Sequence, residues 1–136
     1  MDDALRSAYR DAEYVVFGDA PLAFRVGAPS EALDRLLDSH GVDCAAFITA
    51  FNPWGRRAGE AANQAAQERL RQYLRGRQLR FLEGEGRDPA GAWPAEASAL
   101  VLGMPRESAA KLGRGLAQNA IVFIARGAAP ELVELA

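Results

Sequence analysis

One cysteine and one histidine are all that 136 residues offer of either type. Cys44 therefore has no partner for an internal disulfide, and its place at the head of an apolar run suits a small buried hydrophobe. Cys44 and His40 together supply too few donors for a zinc site, so no metal centre is read from the sequence, and any cofactor is left unknown by it. No apolar segment approaches the length of a bilayer span. The opening MDDALRSAYRDAEY also lacks a basic stretch followed by an apolar one, so a cytoplasmic location with no membrane partner is expected. Three signatures are missing as well: a Walker A loop, a G-x-G-x-x-G run between strand and helix, and G-x-S-x-G. A net charge of −2 leaves no overall field to draw in a strongly charged partner.

The composition is that of a globular chain, with 49% apolar and 25% charged residues, and the length suits one domain over 1–136. Ala4, Leu5, Ala8, Tyr9 and Ala12 share helical spacing. Tyr14–Phe17 and Leu22–Val26 read as a hairpin around Gly18-Asp19-Ala20-Pro21. Ser30 suits an N-cap and Gly41 a C′ residue, which sets a helix over about 31–40 with His40 as its ending residue. Cys44–Phe51 reads as a central strand, and Asn52 is pushed towards an extended conformation by Pro53. A helix follows over about 59–75 with Ala62, Ala66, Leu70 and Tyr73 on its core face, Asn63 and Leu74 on the flank of that face, and Arg71 and Arg75 pointing away. Leu79–Glu83 is the next strand, reached by a parallel crossover. Asp88-Pro89-Ala90-Gly91 has the residue order of a type I turn. A strand at 99–102, a helix after Pro105, a strand at 119–125 and an edge strand at 132–135 complete an α/β domain, a mixed sheet packed with about three helices.

Polar residues at the ends of apolar elements mark the candidate site. Thr49 and Asn52 lie in and after the central strand, and Glu60 and Asn63 in the first turns of the next helix, where strand ends and free helix amides commonly meet ligands. Taken singly, each suits a cap or a backbone contact; the four together suit a site. A second group is Glu83, Glu85, Arg87, Asp88, Trp93, Glu96 and Ser98, whose acids beside an aromatic suit proton transfer or a magnesium ion, against the alternative of a solvated loop, which is favoured for Glu83 and Glu85. Gln118 and Asn119 punctuate the last helix and strand. Glu60, Asp88 and Glu96 are the candidate catalytic residues. Thr49, Asn52, Asn63, Arg87, Trp93, Ser98, Gln118 and Asn119 are the candidate ligand contacts. They would line one small-molecule or nucleotide pocket, with or without enzymatic activity.

The other reading comes from seven arginines at 56, 57, 69, 71, 75, 77 and 80 against Glu60 and Glu68, a local excess of +5. An interaction module could use that face for nucleic acid or an acidic protein. It is less favoured, because a helix face opposite the core is expected to carry solvated charge and only Trp54 stands near to stack.

FITAFNP at 47–53, Glu60 and Asn63, GRDPAGAW at 86–93, Glu96-Ala97-Ser98 and GLAQNAIV at 115–122 occur in that order. In these runs the sequence resembles a bacterial family of small proteins classed as a domain of unknown function. The resemblance spans nearly the whole chain and implies a shared architecture, without supplying a reaction. Gly55 and Gly59 stand where serines are usual in that family.

Overall fold

The computed structural model describes residues 1–135. Its elements are α1 (Asp3–Asp11), β1 (Glu13–Val16), β2 (Leu22–Phe24), α2 (Glu31–Ser39), β3 (Cys44–Thr49), α3 (Glu60–Gly76), β4 (Phe81–Arg87), β5 (Glu96–Leu102), α4 (Arg106–Gly115), β6 (Ala120–Ala125) and β7 (Glu131–Glu134). A 3-10 turn at Pro53–Gly55 joins β3 to α3. No helix among the described residues is long and apolar enough to cross a membrane.

The strands form one seven-stranded sheet in the order β2-β1-β4-β5-β3-β6-β7, antiparallel at every ladder. The α/β class holds, with four helices, while the mixture of strand directions expected in the sheet is absent from its ladders. The parallel relation between β3 and β4 survives at one remove, because β5 lies between them and runs against both. The same holds for β5 and β6 around β3. Residues 44–125 thus form a split β-α-β-β-α-β unit, which the β1–β2 hairpin widens at one edge and β7 at the other.

Alternation along β3 divides the core. Ala45 and Phe47 point to one face, where α2 adds Leu33 and Leu37 and the hairpin adds Tyr14 and Phe24. Ala46 and Ile48 point to the other, where α3 adds Leu70 and Leu74 and α4 adds Ala109. Burying each of these large side chains is worth about 1.5–3 kcal/mol, so the two clusters clamp the sheet between helical layers. At Gly84 a Cβ would run into the Val15 carbonyl, so only glycine lets β1 and β4 approach there.

Helix ends follow the local chemistry. Ser30 Oγ accepts from Leu33 N at 3.2 Å, and His40 is the C-cap of α2, with Gly41 at φ +68° behind it. α4 ends in a Schellman motif, with Gln118 N donating to Gly113 O and Ala117 N to Arg114 O, which sets Ala117 at φ +57°.

Two expectations are corrected. The buried stripe of α3 is Asn63, Gln67, Leu70 and Leu74, one residue round from the alanine face, and Tyr73 is 43% exposed. Apolar spacing selects the alanines, but the amides at 63 and 67 turn inwards because the sheet presents backbone groups that need partners. Asn52, expected to be extended before Pro53, sits instead at φ 49°, ψ 63°. The proline penalty there is outweighed by the hydrogen bonds its side chain and amide make.

Candidate functional site

The ladder of β3 ends at Thr49, yet the chain continues buried through Ala50 and Phe51. Its backbone groups cannot be left unpaired, since each buried orphan costs about 1–3 kcal/mol. Side chains take over the ladder. Ala50 N donates to Gln67 Oε1 at 3.0 Å, Phe51 N to Thr49 Oγ1 at 3.1 Å, and Asn52 N to Asn63 Oδ1 at 2.9 Å. Gln118 Nε2 donates to Phe51 O at 3.0 Å, and Thr49 Oγ1 donates onward to Ala97 O at 2.7 Å.

Asn52 is the hub. Its Oδ1 accepts from Ala58 N and from Asn63 Nδ2, both at 3.0 Å, which closes a two-way bond between Asn52 and Asn63. Its Nδ2 points the other way and donates to Glu96 Oε2 at 2.6 Å. A left-handed backbone suits this role, because asparagine tolerates it and the turn swings the amide back over the sheet.

Glu96 opens onto a cavity of about 720 Å³ between α1 and the sheet face that carries Phe47. The β5 register sets Gly86 opposite Glu96, and β1 sets Tyr14 opposite Gly86, so these three form one row across the sheet. With no side chain at Gly86, the space between Tyr14 and Glu96 stays open. α1 forms a wall through Leu5, Ala8 and Tyr9, yet none of its residues is buried. It is held by the Arg6–Glu134 ion pair at 2.9 Å and by Tyr14 Oη donating to Tyr9 O at 2.7 Å.

Burial pushes the Glu96 carboxyl above its ordinary value of 4.5, and the Asn52 hydrogen bond only partly opposes this. Burial, followed by the nearby Glu96, pushes the Tyr9 hydroxyl up to about 12. Tyr14 is raised as well, by burial first and then by Tyr9 and Glu96. Glu131 and Glu134 go the opposite way, because each hydrogen-bonds an arginine. Asn52 is the one side chain bonded to the Glu96 carboxyl among the described residues, and it is neutral.

The cavity brings together Thr49, Asn52, Glu60, Asn63, Trp93, Glu96, Ser98 and Gln118 from the sequence-predicted residues. Within that set Thr49, Asn52, Asn63 and Gln118 spend most of their bonding capacity on the strand exit. Ser98 Oγ donates to Glu96 O at 3.0 Å. Glu60 starts α3 at the cavity mouth and is exposed. Asp88, Arg87 and Asn119 do not line the cavity. Asp88 holds its own turn, accepting from Ala90 N at 3.0 Å and Ala92 N at 2.7 Å, and Arg87 pairs with Glu85. Asn119 is buried with its amide against Gly55, where a Cβ would meet Nδ2 at 3.1 Å.

Sequence reasoning missed Gln67, Tyr9 and Tyr14. The i, i+4 spacing of Asn63 and Gln67 was the available signal for the first. The tyrosines carried none, because their closeness to Glu96 depends on how α1 and β1 lie across β4.

No group of three or more histidine, cysteine, aspartate or glutamate side chains among the described residues could hold a metal ion. Part of the arginine face has internal partners: Arg71 pairs with Glu83 at 2.8 Å and Glu68 at 3.3 Å, and Arg75 and Arg77 lie over the rings of Phe81 and Tyr73, while Arg56, Arg57 and Arg69 are exposed.

A family described as "protein of unknown function (DUF3293)" matches residues 48–121, more than half of the chain, and the chain belongs to it. The match falls within the split β-α-β-β-α-β unit and includes the strand exit and Glu96. No curated protein and no solved structure matches the chain.

Asn63→Ala should cost about 1–3 kcal/mol in chemical denaturation, because the half-buried Asn52 amide loses its acceptor. Asn63→Asp should also be destabilised at neutral pH, since it sets a carboxylate oxygen against Asn52 Oδ1. Relative to wild type it should recover on acidification, when the protonated acid donates again. Wild-type stability for Asn63→Asp at neutral pH would refute the two-way bond.

Glu96→Gln isolates the buried carboxyl. A raised folded pKa means that its contribution is fully present below the ordinary value of 4.5 and is lost as pH rises through the folded value. Glutamine is neutral throughout, so urea unfolding should show the stability difference moving in favour of Glu96→Gln as pH rises. A pH-independent difference would contradict the burial of Glu96.

Proposed function

We propose that this family member binds a small organic molecule in the cavity between α1 and the sheet, with Glu96 as its polar anchor. The observation that carries the reading is a half-open cavity of about 720 Å³ whose carboxyl is bonded to one neutral amide. Pockets for small molecules typically span about 300–1,000 Å³, with apolar walls and a few placed polar groups. Phe47, Tyr14, Ala8 and Leu5 supply such walls here.

The site extends the sequence-based reading and redistributes its roles. Thr49, Asn52, Asn63 and Gln118 act as positioning residues, since their hydrogen bonds go to the protein. Glu96 is the group equipped to meet a ligand and to exchange a proton with it, because it lines the cavity with one carboxyl oxygen unbonded among the described residues and burial holds its pKa above the ordinary carboxylate value. Trp93 covers one side. Glu60 and Arg57 stand at the mouth, where they suit screening of what enters.

Gly86 gives the test. Gly86 lines the cavity and a Cβ there would meet the Tyr14 ring at an ordinary 3.7 Å, so a larger side chain would take up cavity space. A thermal-shift panel of amines, amino acids, sugars and nucleotides should contain members that raise the melting temperature of wild type and leave Gly86→Leu unchanged. Equal shifts in both proteins, or a flat response throughout the panel, would overturn the reading.

A further inference from the structure

We infer that the cavity selects a primary organic ammonium with an apolar or aromatic body, its nitrogen seated on Glu96. This rests on the reading of the cavity as a small-molecule site and names the class of ligand. Three features of the walls lead to it.

The first is charge. Glu96 makes no ion pair among the described residues: α1 presents Tyr9, β1 presents Tyr14, β4 presents Gly86, and the loop after β3 presents Asn52 and the exposed Arg57, the one cation in the cavity lining. Arg57 and Glu60 stand at the mouth and are exposed. A carboxylate left without a counter-charge in a half-buried site is complementary to a cation carried in by a ligand. An anionic ligand would meet the same group with repulsion.

The second is hydrogen bonding. Oε2 accepts from Asn52 Nδ2 at 2.6 Å, while Oε1 accepts from nothing among the described residues. A primary ammonium has three N–H donors on a compact head, and one of them meets that oxygen in a charge-assisted bond.

The third is the surrounding rings. Tyr9, Tyr14, Phe47 and Trp93 all line the space, and Tyr14 and Phe47 meet edge to face with centroids 5.4 Å apart. Aromatic faces attract cations and also bury the carbon body of an amine. A bare metal ion is served poorly by this set, since hard cations need several oxygen ligands and the cavity floor offers one carboxylate.

Protons balance as follows. Where Glu96 is neutral in the free protein, the arriving ammonium keeps its protons and Glu96 releases one to solvent, leaving an ammonium–carboxylate pair. Affinity for an ammonium therefore rises with pH until Glu96 is ionised in the free protein, and binding below that point releases a proton. Tyr9 and Tyr14 stay neutral over this range, because both are raised above an ordinary phenol.

The test titrates wild-type protein with 2-phenylethylammonium, 2-phenylethanol and phenylacetate, followed by amide and Trp93 indole shifts in NMR. The ammonium should bind at the cavity at least about tenfold more tightly than the other two, and Glu96→Gln should remove that preference. Calorimetry on wild type in buffers of different ionisation enthalpy should show proton release that fades as pH rises, which keeps the test independent of the variant's folding. If the alcohol binds as well as the ammonium, or phenylacetate binds better, the inference fails while the cavity reading stands. If none of the three moves the cavity resonances, the inference fails, and the cavity reading falls with it only where the thermal-shift panel is flat as well.

Discussion

The backbone of β3 has to leave the sheet while still buried, and the side chains that receive it fix everything around the cavity. Gln67, Asn63, Thr49 and Gln118 supply the partners that a neighbouring strand would otherwise give to Ala50, Phe51 and Asn52. Each bond is worth only about 0.5–1.5 kcal/mol net, but leaving its group orphaned costs more. The arrangement is therefore held by the penalty for breaking it. It also ties α3 to β3, since Asn63 and Gln67 lie one helical turn apart on the face that Leu70 and Leu74 continue.

Asn52 transmits that order to the cavity. Its oxygen is claimed by Ala58 and Asn63, which leaves Nδ2 aimed at Glu96. The carboxyl is thereby oriented by a neutral donor, and its charge is not cancelled. The contrast with the rest of the molecule is physical: Glu131 and Glu134 sit at the surface against arginines that hold them ionised. Such surface pairs contribute little to stability. Glu96 carries the opposite bias, beside a gap that Gly86 leaves in the row between it and Tyr14.

Much of the fold was legible because apolar alternation and punctuation agree with it. The hairpin around Gly18–Pro21, the caps at Ser30 and Gly41, the apolar β3 and the Asp88 turn all follow from residue chemistry acting over a few positions. Ladder direction was not legible, since β5 enters between β3 and β4 from later in the chain and turns a parallel crossover into two antiparallel pairings. The α3 face was misjudged for a related reason: alanine spacing reports apolarity, whereas Asn63 and Gln67 are buried by the needs of a strand end. The converging segments around Asn52, Trp93 and Gln118 could be named from their polar residues at element ends. That Asn52 and Asn63 would bond each other, and that Asp88 would serve only its own turn, depended on distances that no spacing encodes.

The central claim is that Glu96 is a carboxyl without a counter-charge, facing a cavity and oriented by a neutral amide. Carbon-13 NMR titration of the glutamate side-chain carboxyls measures this most directly. Glu96 should titrate above the ordinary glutamate value of 4.5, while Glu131 and Glu134 titrate below it. A Glu96 midpoint at or below 4.5 would contradict the account.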